Sequence, residues 1–159
     1  MNPRSSLLWQ SARGALVQTA LNERIEGVTV SDVMDPQPVA IHADTPVAQA
    51  LDEYFLRYGW DWFPVIDETG HLLGIARREP LETARQGGEN WLTVGSFVDS
   101  EAGIGWRIDE SRPITEVLSS ESFGKLGAVM AVDREGVLRG VVTVDRVRRA
   151  LQAAFGSPA

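Results

Sequence analysis

The sequence predicts a mixed α/β (α+β) fold: two tandem α-β-β-α units packed about a pseudo-two-fold axis and preceded by an amphipathic helix. Three observations predict it. The chain repeats itself in ordered blocks, each copy reads helix, strand, strand, helix, and the residues before the first copy carry an apolar stripe outside the repeat.

The repeat is direct. "VTVSDVMD" from Val28 matches "LTVGSFVD" from Leu92 at an offset of 64 residues, and "TPVAQAL" matches "RPITEVL" with Pro46 on Pro113, an offset of 67. "VIDETGHLLGIAR" from Val65 then matches "AVDREGVLRGVVT" from Ala131 at an offset of 66, placing Asp67, Gly70 and Gly74 on Asp133, Gly136 and Gly140. Three blocks in one order, separated by small insertions, indicate a duplication.

Each element follows in turn. After "MNPRSS", the run "LLWQSARGALVQTALNERIEG" from Leu7 reads as an amphipathic helix closed by Gly27. Val28 to Ile41 is an extended lead-in to copy one. Thr45 is expected to cap a helix with Pro46 in its first turn, Val47, Leu51, Phe55 and Tyr58 on one face, and Gly59 as its stop. "DWFPVID" is a short, almost wholly apolar run, the pattern of a strand covered on both faces. "DETG" turns it, "HLLGIAR" returns, and "EPLETAR" begins a second helix. Copy two ends in "VDRVRRALQAAF", with a stripe at Val147, Leu151, Ala154 and Phe155. The expected divisions are a leading segment over 1–27, copy one over 28–86, a linker over 87–91, copy two over 92–155 and a tail over 156–159.

Composition excludes several classes. A net charge of −7 with only one short basic run, "RVRR" at Arg146 to Arg149, argues against a nucleic-acid partner. With no cysteine there is no disulfide framework or thiolate metal site, which suits a reducing, cytoplasmic setting. No apolar run reaches the roughly 18 residues of a membrane span, and the N-terminus lacks a secretory signal.

Tandem α-β-β-α units carrying "FPVIDETGHLLGIA" and "AVDREGVLRGVVTVD" resemble cystathionine-beta-synthase (CBS) domains, a pair of which forms a Bateman module. The resemblance runs from about Val28 to Phe155. A narrower likeness joins "ARGALVQTALNERIEGVTVSDVMD" and "YFLRYGWDWFPVID" to the cytosolic tail of bacterial site-two-type intramembrane zinc metalloproteases, which implies attachment to a membrane protease at the inner face of the membrane.

Catalytic constellations are missing from the sequence. A zinc protease needs His-Glu-x-x-His on a helix, whereas His42 and His71 are the only histidines and stand far apart. No G-x-S-x-G elbow occurs. The carboxylate pairs Asp52/Glu53 and Asp109/Glu110 are explained by solvation and the helix dipole. The chain therefore reads as no enzyme and holds no metal site.

A ligand site is the remaining chemistry. CBS pairs often hold adenine nucleotides between the copies, through a G-h-h-T/S-x-x-D/N motif whose hydroxyl and helix N-terminus meet phosphate while its carboxylate grips the ribose. Copy one reads "GIARREP", with Arg77 for the hydroxyl and Pro80 for the carboxylate. Copy two reads "GVVTVDR", keeping Gly140, Val142 and Thr143 but placing Arg146 where the carboxylate belongs and Asp145 one residue early, about 100° away on a helix. The resemblance implies AMP, ATP or another adenosyl ligand, held by Gly140, Val142, Thr143, Asp145 and Arg146, with Arg77 and Arg78 as further phosphate partners. Solvated surface arginines are the competing reading.

Two tryptophans one residue apart need an explanation. On a strand Trp60, Trp62 and Pro64 share one face and Phe63 and Val65 the other. The indoles either cover the N-terminal helix or rim the inter-copy cleft or a dimer surface. With Trp9 they are the interface candidates, and Trp91 and Trp106 add to them.

The expected function is a non-catalytic regulatory and homodimerisation module, the cytosolic part of a membrane metalloprotease. The alternatives are a free-standing cytoplasmic adenine-nucleotide sensor and a purely structural pair without a ligand.

Overall fold

The repeat folds into two versions of one small layered unit. The computed structural model describes residues 27–99 and 106–154. The first half contains α1 (Val30–Val33), β1 (Ile41–His42), α2 (Val47–Ala50), a π-helical turn (Leu51–Phe55), α3 (Leu56–Tyr58), β2 (Trp62–Ile66), β3 (Leu72–Arg77) and α4 (Arg78–Gln86). A 3-10 turn (Val94–Phe97), β4 (Arg107–Asp109), α5 (Ile114–Leu118), α6 (Glu121–Leu126), β5 (Ala128–Val132), β6 (Leu138–Thr143) and α7 (Val144–Ala154) follow.

The two sheets have the same topology. β2 lies between parallel β1 and antiparallel β3, as β5 lies between β4 and β6. Even the register irregularities coincide, at Val65/Ile66 and Ala131/Val132. Alternation along β2 is as expected: Phe63 and Val65 are buried in the first core, and Trp62 packs against the seam between the units. Phe55 meets Phe63 edge to face at 4.8 Å, a contact whose truncation to alanine costs roughly 3–5 kcal/mol.

The change of offset within the repeat has a structural counterpart. Pro46 and Pro113 are 67 residues apart but Trp62 and Ala128 only 66, so copy one holds one extra residue between them. α2, the π turn and α3 form one unbroken helical run. A π turn accommodates one residue more than an α turn, which leaves Val47, Leu51 and Phe55 all buried. Copy two instead breaks at Ser119 and Ser120, where the Ser120 hydroxyl caps α6.

Two local expectations are corrected. Thr45 is not the cap; Pro46 stands at the N-cap in extended conformation without a side-chain bond. Tyr58 leaves the buried face and stacks on Trp60 at 5.3 Å. Gly59 ends the helix in the left-handed conformation, as anticipated.

The lead-ins differ most from the local reading. Val28 to Asp35, counted with copy one, packs on unit two: Val30 and Val33 join the core of Ile114, Val117, Val129 and Val142. Their amides bind across as well, Val30 N to Arg112 O and Ser31 N to Glu110 O, both at 2.9 Å. The matching segment of copy two crosses the other way, with Val94 N to Thr45 O at 2.9 Å and Gly95 N to Ala43 O at 2.8 Å. The units are interlocked.

Between them lies a third apolar cluster of Leu72, Ile75, Met130 and Val132, flanked by Trp62 and Trp106. The two strand turns also join, Leu72 N to Gly136 O at 3.0 Å and Leu138 N to Gly70 O at 2.9 Å. That pairing rests on residues related by the repeat, giving the seam its pseudo-two-fold character.

Candidate ligand cleft

A cleft of about 400 Å³ opens between the units. One wall comes from unit one, where Trp60, Trp62 and Pro64 line it together as the strand alternation anticipates. Pro38 and Val39 of the lead-in add to that wall, and Leu126 and Ala128 face them from unit two. The indoles therefore rim the inter-unit cleft. The N-terminal helix with Trp9, and Phe155, lie outside the described residues.

Arg78 fixes the position of Trp60. Its guanidinium donates to the Trp60 carbonyl oxygen at 2.8 Å and to that of Phe55 at 3.4 Å, and lies 3.7 Å from Asp61. A cation on the last carbonyls of a helix is favourable. Arg78 thus holds the bend after α3 that carries the indole, with no part in the cleft itself. Trp60 also lies against Phe63 at 5.0 Å between ring centres.

The polar end of the cleft is built where β6 runs into α7. Thr143, Asp145 and Arg146 all line it. The Thr143 hydroxyl accepts from the Arg146 amide at 3.3 Å, capping the helix. Arg146 donates to the Met34 carbonyl oxygen at 3.3 Å and lies 3.8 Å from the Asp35 carboxylate. Asp145 lies 3.6 Å from Arg148.

Three anticipated contacts do not join this group. Val142 is fully buried in the core of unit two, because strand alternation points it away from the face shared by Val141 and Thr143. Gly140 does not line the cleft: a Cβ there would lie 2.6 Å from the Asp35 carbonyl oxygen, so its bareness admits the lead-in, whose Asp35 exchanges backbone bonds with Val141. Arg77 lies elsewhere, over the Trp106 ring at 5.4 Å, along a groove with Arg78, Glu79 and Pro80.

Asp35 is the residue that sequence reasoning missed. Its signal was present, since Asp35 recurs as Asp99 in the repeat and both pair in backbone bridges with the opposite unit, Asp35 with Val141 and Asp99 with Ile75. Among the described residues no group of three or more histidines, aspartates or glutamates is arranged to hold a metal, and no helix is long and apolar enough to cross a membrane.

Residues 30–79 match the family model described as CBS domain. Solved structures then extend the likeness to both units. The CBS domain pair of protein MJ0100, in complex with 5′-methylthioadenosine and S-adenosyl-L-methionine, superposes with a TM-score of 0.59 at 20% identity, covering 79% of this chain and 97% of that one. The fold is that of a CBS-domain pair. CBSX2 in complex with AMP gives a TM-score of 0.64 at 24% identity over 80% of this chain and 98% of its own. The CBS domain of the bacterial CNNM/CorC family Mg2+ transporter, in complex with ATP, gives 0.66 at 20% identity over 84% and 93%. No curated protein matches the sequence. In this fold the cleft with the polar end carries Thr143, and the Arg77 groove belongs to the other half of the repeat.

Proposed function

We propose that this chain is a non-catalytic regulatory module that takes an adenosyl ligand in the cleft between its units. One observation carries the reading: the cleft draws an apolar, indole-bearing wall from unit one and a capped helix start with Thr143, Asp145 and Arg146 from unit two. A base fits against the apolar wall, and sugar hydroxyls find an acceptor in Asp145. Because the ligand touches both units, its binding free energy depends on how they are set against each other, which is what a regulatory module requires. CBS pairs of the same fold in complex with AMP, ATP and 5′-methylthioadenosine support this ligand class.

The module acts in the cytoplasm as a homodimer, and the exposed Leu56 and Trp91 are side chains that self-association would cover. Attachment to an intramembrane metalloprotease rests on the sequence resemblance alone. A purely structural pair is the second reading, favoured by the Arg77–Trp106 stack, in which the chain's own side chains occupy each other.

Calorimetric titration with AMP, ATP and S-adenosylmethionine tests the proposal. Binding that weakens in Thr143→Ala supports it, and silence towards all three leaves the structural reading standing. Sedimentation of the same samples tests the dimer.

A further inference from the structure

The charge arrangement of the cleft bears on which adenosyl compound it accepts, an inference that rests on the reading above. Among the described residues its lining contains one cationic side chain, Arg146, against two carboxylates, Asp35 and Asp145. Phosphate recognition needs a cation or amides free to meet it. Arg146 is occupied by the protein itself, through the Met34 carbonyl oxygen at 3.3 Å and Asp35 at 3.8 Å.

The start of α7 is also partly used. Its Arg146 amide points to the Thr143 hydroxyl at 3.3 Å, and Asp145 in the first turn puts a negative charge at the pole an anion would seek. Arg148 offsets Asp145 only weakly: the two side chains are 65% and 78% exposed at 3.6 Å, so water and salt screen the pair, and Arg148 does not line the cleft. The chain as a whole, at −7, adds long-range repulsion.

A phosphate entering here has to approach Asp145 and draw Arg146 away from Asp35, leaving a second carboxylate unpaired beside it. A neutral group at the 5′ position of the ligand meets neither obstacle. A cationic one gains from both carboxylates. We infer that the cleft selects adenosyl compounds without phosphate, neutral or cationic at the 5′ position, over adenine nucleotides.

The test titrates the full 159-residue chain calorimetrically with 5′-methylthioadenosine, S-adenosylmethionine, AMP and ATP. At least one phosphate-free compound should bind ten-fold or more tighter than AMP, with ATP weakest. Asp35→Asn, which removes a carboxylate and frees Arg146, should shrink the ratio of 5′-methylthioadenosine to AMP affinity at least three-fold. Asp145→Asn supplies the same readout should the first variant fail to fold. AMP or ATP binding as tightly as the phosphate-free compounds, or a ratio unmoved by both variants, overturns the inference while leaving an adenosyl site in place. Silence towards all four compounds overturns instead the reading beneath it.

Discussion

Arg78 and Trp60 are joined by a 2.8 Å hydrogen bond from guanidinium to carbonyl oxygen, so a residue outside the cleft sets the position of one of its walls. The same side chain reaches the Phe55 carbonyl and closes the C-terminal end of the helix that carries the first core. Arg78→Met keeps the apolar stem and removes those donors. Bonds to a charged group are worth about 1.5–3 kcal/mol each before solvent exposure reduces them, so a loss of about 1–2 kcal/mol in urea unfolding is expected. The variant should also shift tryptophan emission as Trp60 becomes more mobile. Unchanged stability and emission together would show that the bend needs no such tether.

Glycines at the crossing points should be sharply intolerant. A Cβ on Gly140 would lie 2.6 Å from the Asp35 carbonyl oxygen, and one on Gly74 equally close to that of Asp99. These carbonyls are backbone, which cannot move aside without shifting a lead-in, and the side chains of Met34 and Val98 crowd the same positions. Gly140→Ala and Gly74→Ala should each cost about 1–3 kcal/mol by overpacking, with Gly74→Ala the worse because its φ of +156° is also strained for alanine. Gly124, inside α6 with nothing near its Cβ position, should instead gain about 0.5–1 kcal/mol on change to alanine. Thermal unfolding of the three variants checks the order, and a stabilised Gly140→Ala would refute the crossing geometry.

What was legible in the sequence was local. The strand at Trp62, the turn at Asp67 and the stop at Gly59 depend on residues a few positions apart, and all three stand as expected. Thr143, Asp145 and Arg146 were legible through a motif whose members are also close in sequence. Asp35 was marked only by its recurrence as Asp99; its place in the cleft follows from a crossing that pairs it with Val141, and no local periodicity records a partner so distant. Val142 shows a different limit: a motif position marks a strand, but the pleat decides which of its side chains face the ligand. The single extra residue in copy one was visible as a change of offset, whereas its absorption in a π turn depended on keeping Phe55 against Phe63.

Stability should fall in acid through three carboxylates bonded to nearby hydroxyls and amides. Asp67 is held below its ordinary value of 3.8 chiefly by the Thr69 hydroxyl, and Asp109 chiefly by that of Ser111. Asp32 is lowered first by the Thr29 amide and then by its hydroxyl. A lowered pKa means that the unfolded chain takes up its proton before the folded one as pH falls. The contribution is therefore complete above the unfolded value and is lost as pH drops through the lower folded value. Urea midpoints should stay level from neutral pH down to about pH 5 and decline below about pH 4. Asp67→Asn should decline less steeply than the parent; identical slopes would remove Asp67 from the account.

The interlocked lead-ins make the last prediction, because they separate where a residue stands in sequence from which core it supports. Val30 belongs to copy one by sequence yet is fully buried with Val129 and Val142 of unit two; Val94 is its mirror, buried with Ile41 and Val65 of unit one. Truncating either to alanine leaves a cavity and should cost about 1–3 kcal/mol. The site of the damage decides the matter. Hydrogen exchange in Val30→Ala should speed up first in β5 and β6, and in Val94→Ala first in β2 and β3, since local openings follow the core that lost its contact. If Val30→Ala loosens β2 and β3 first, each lead-in supports its own copy, and the crossing of Val28 to Asp35 onto unit two is refuted.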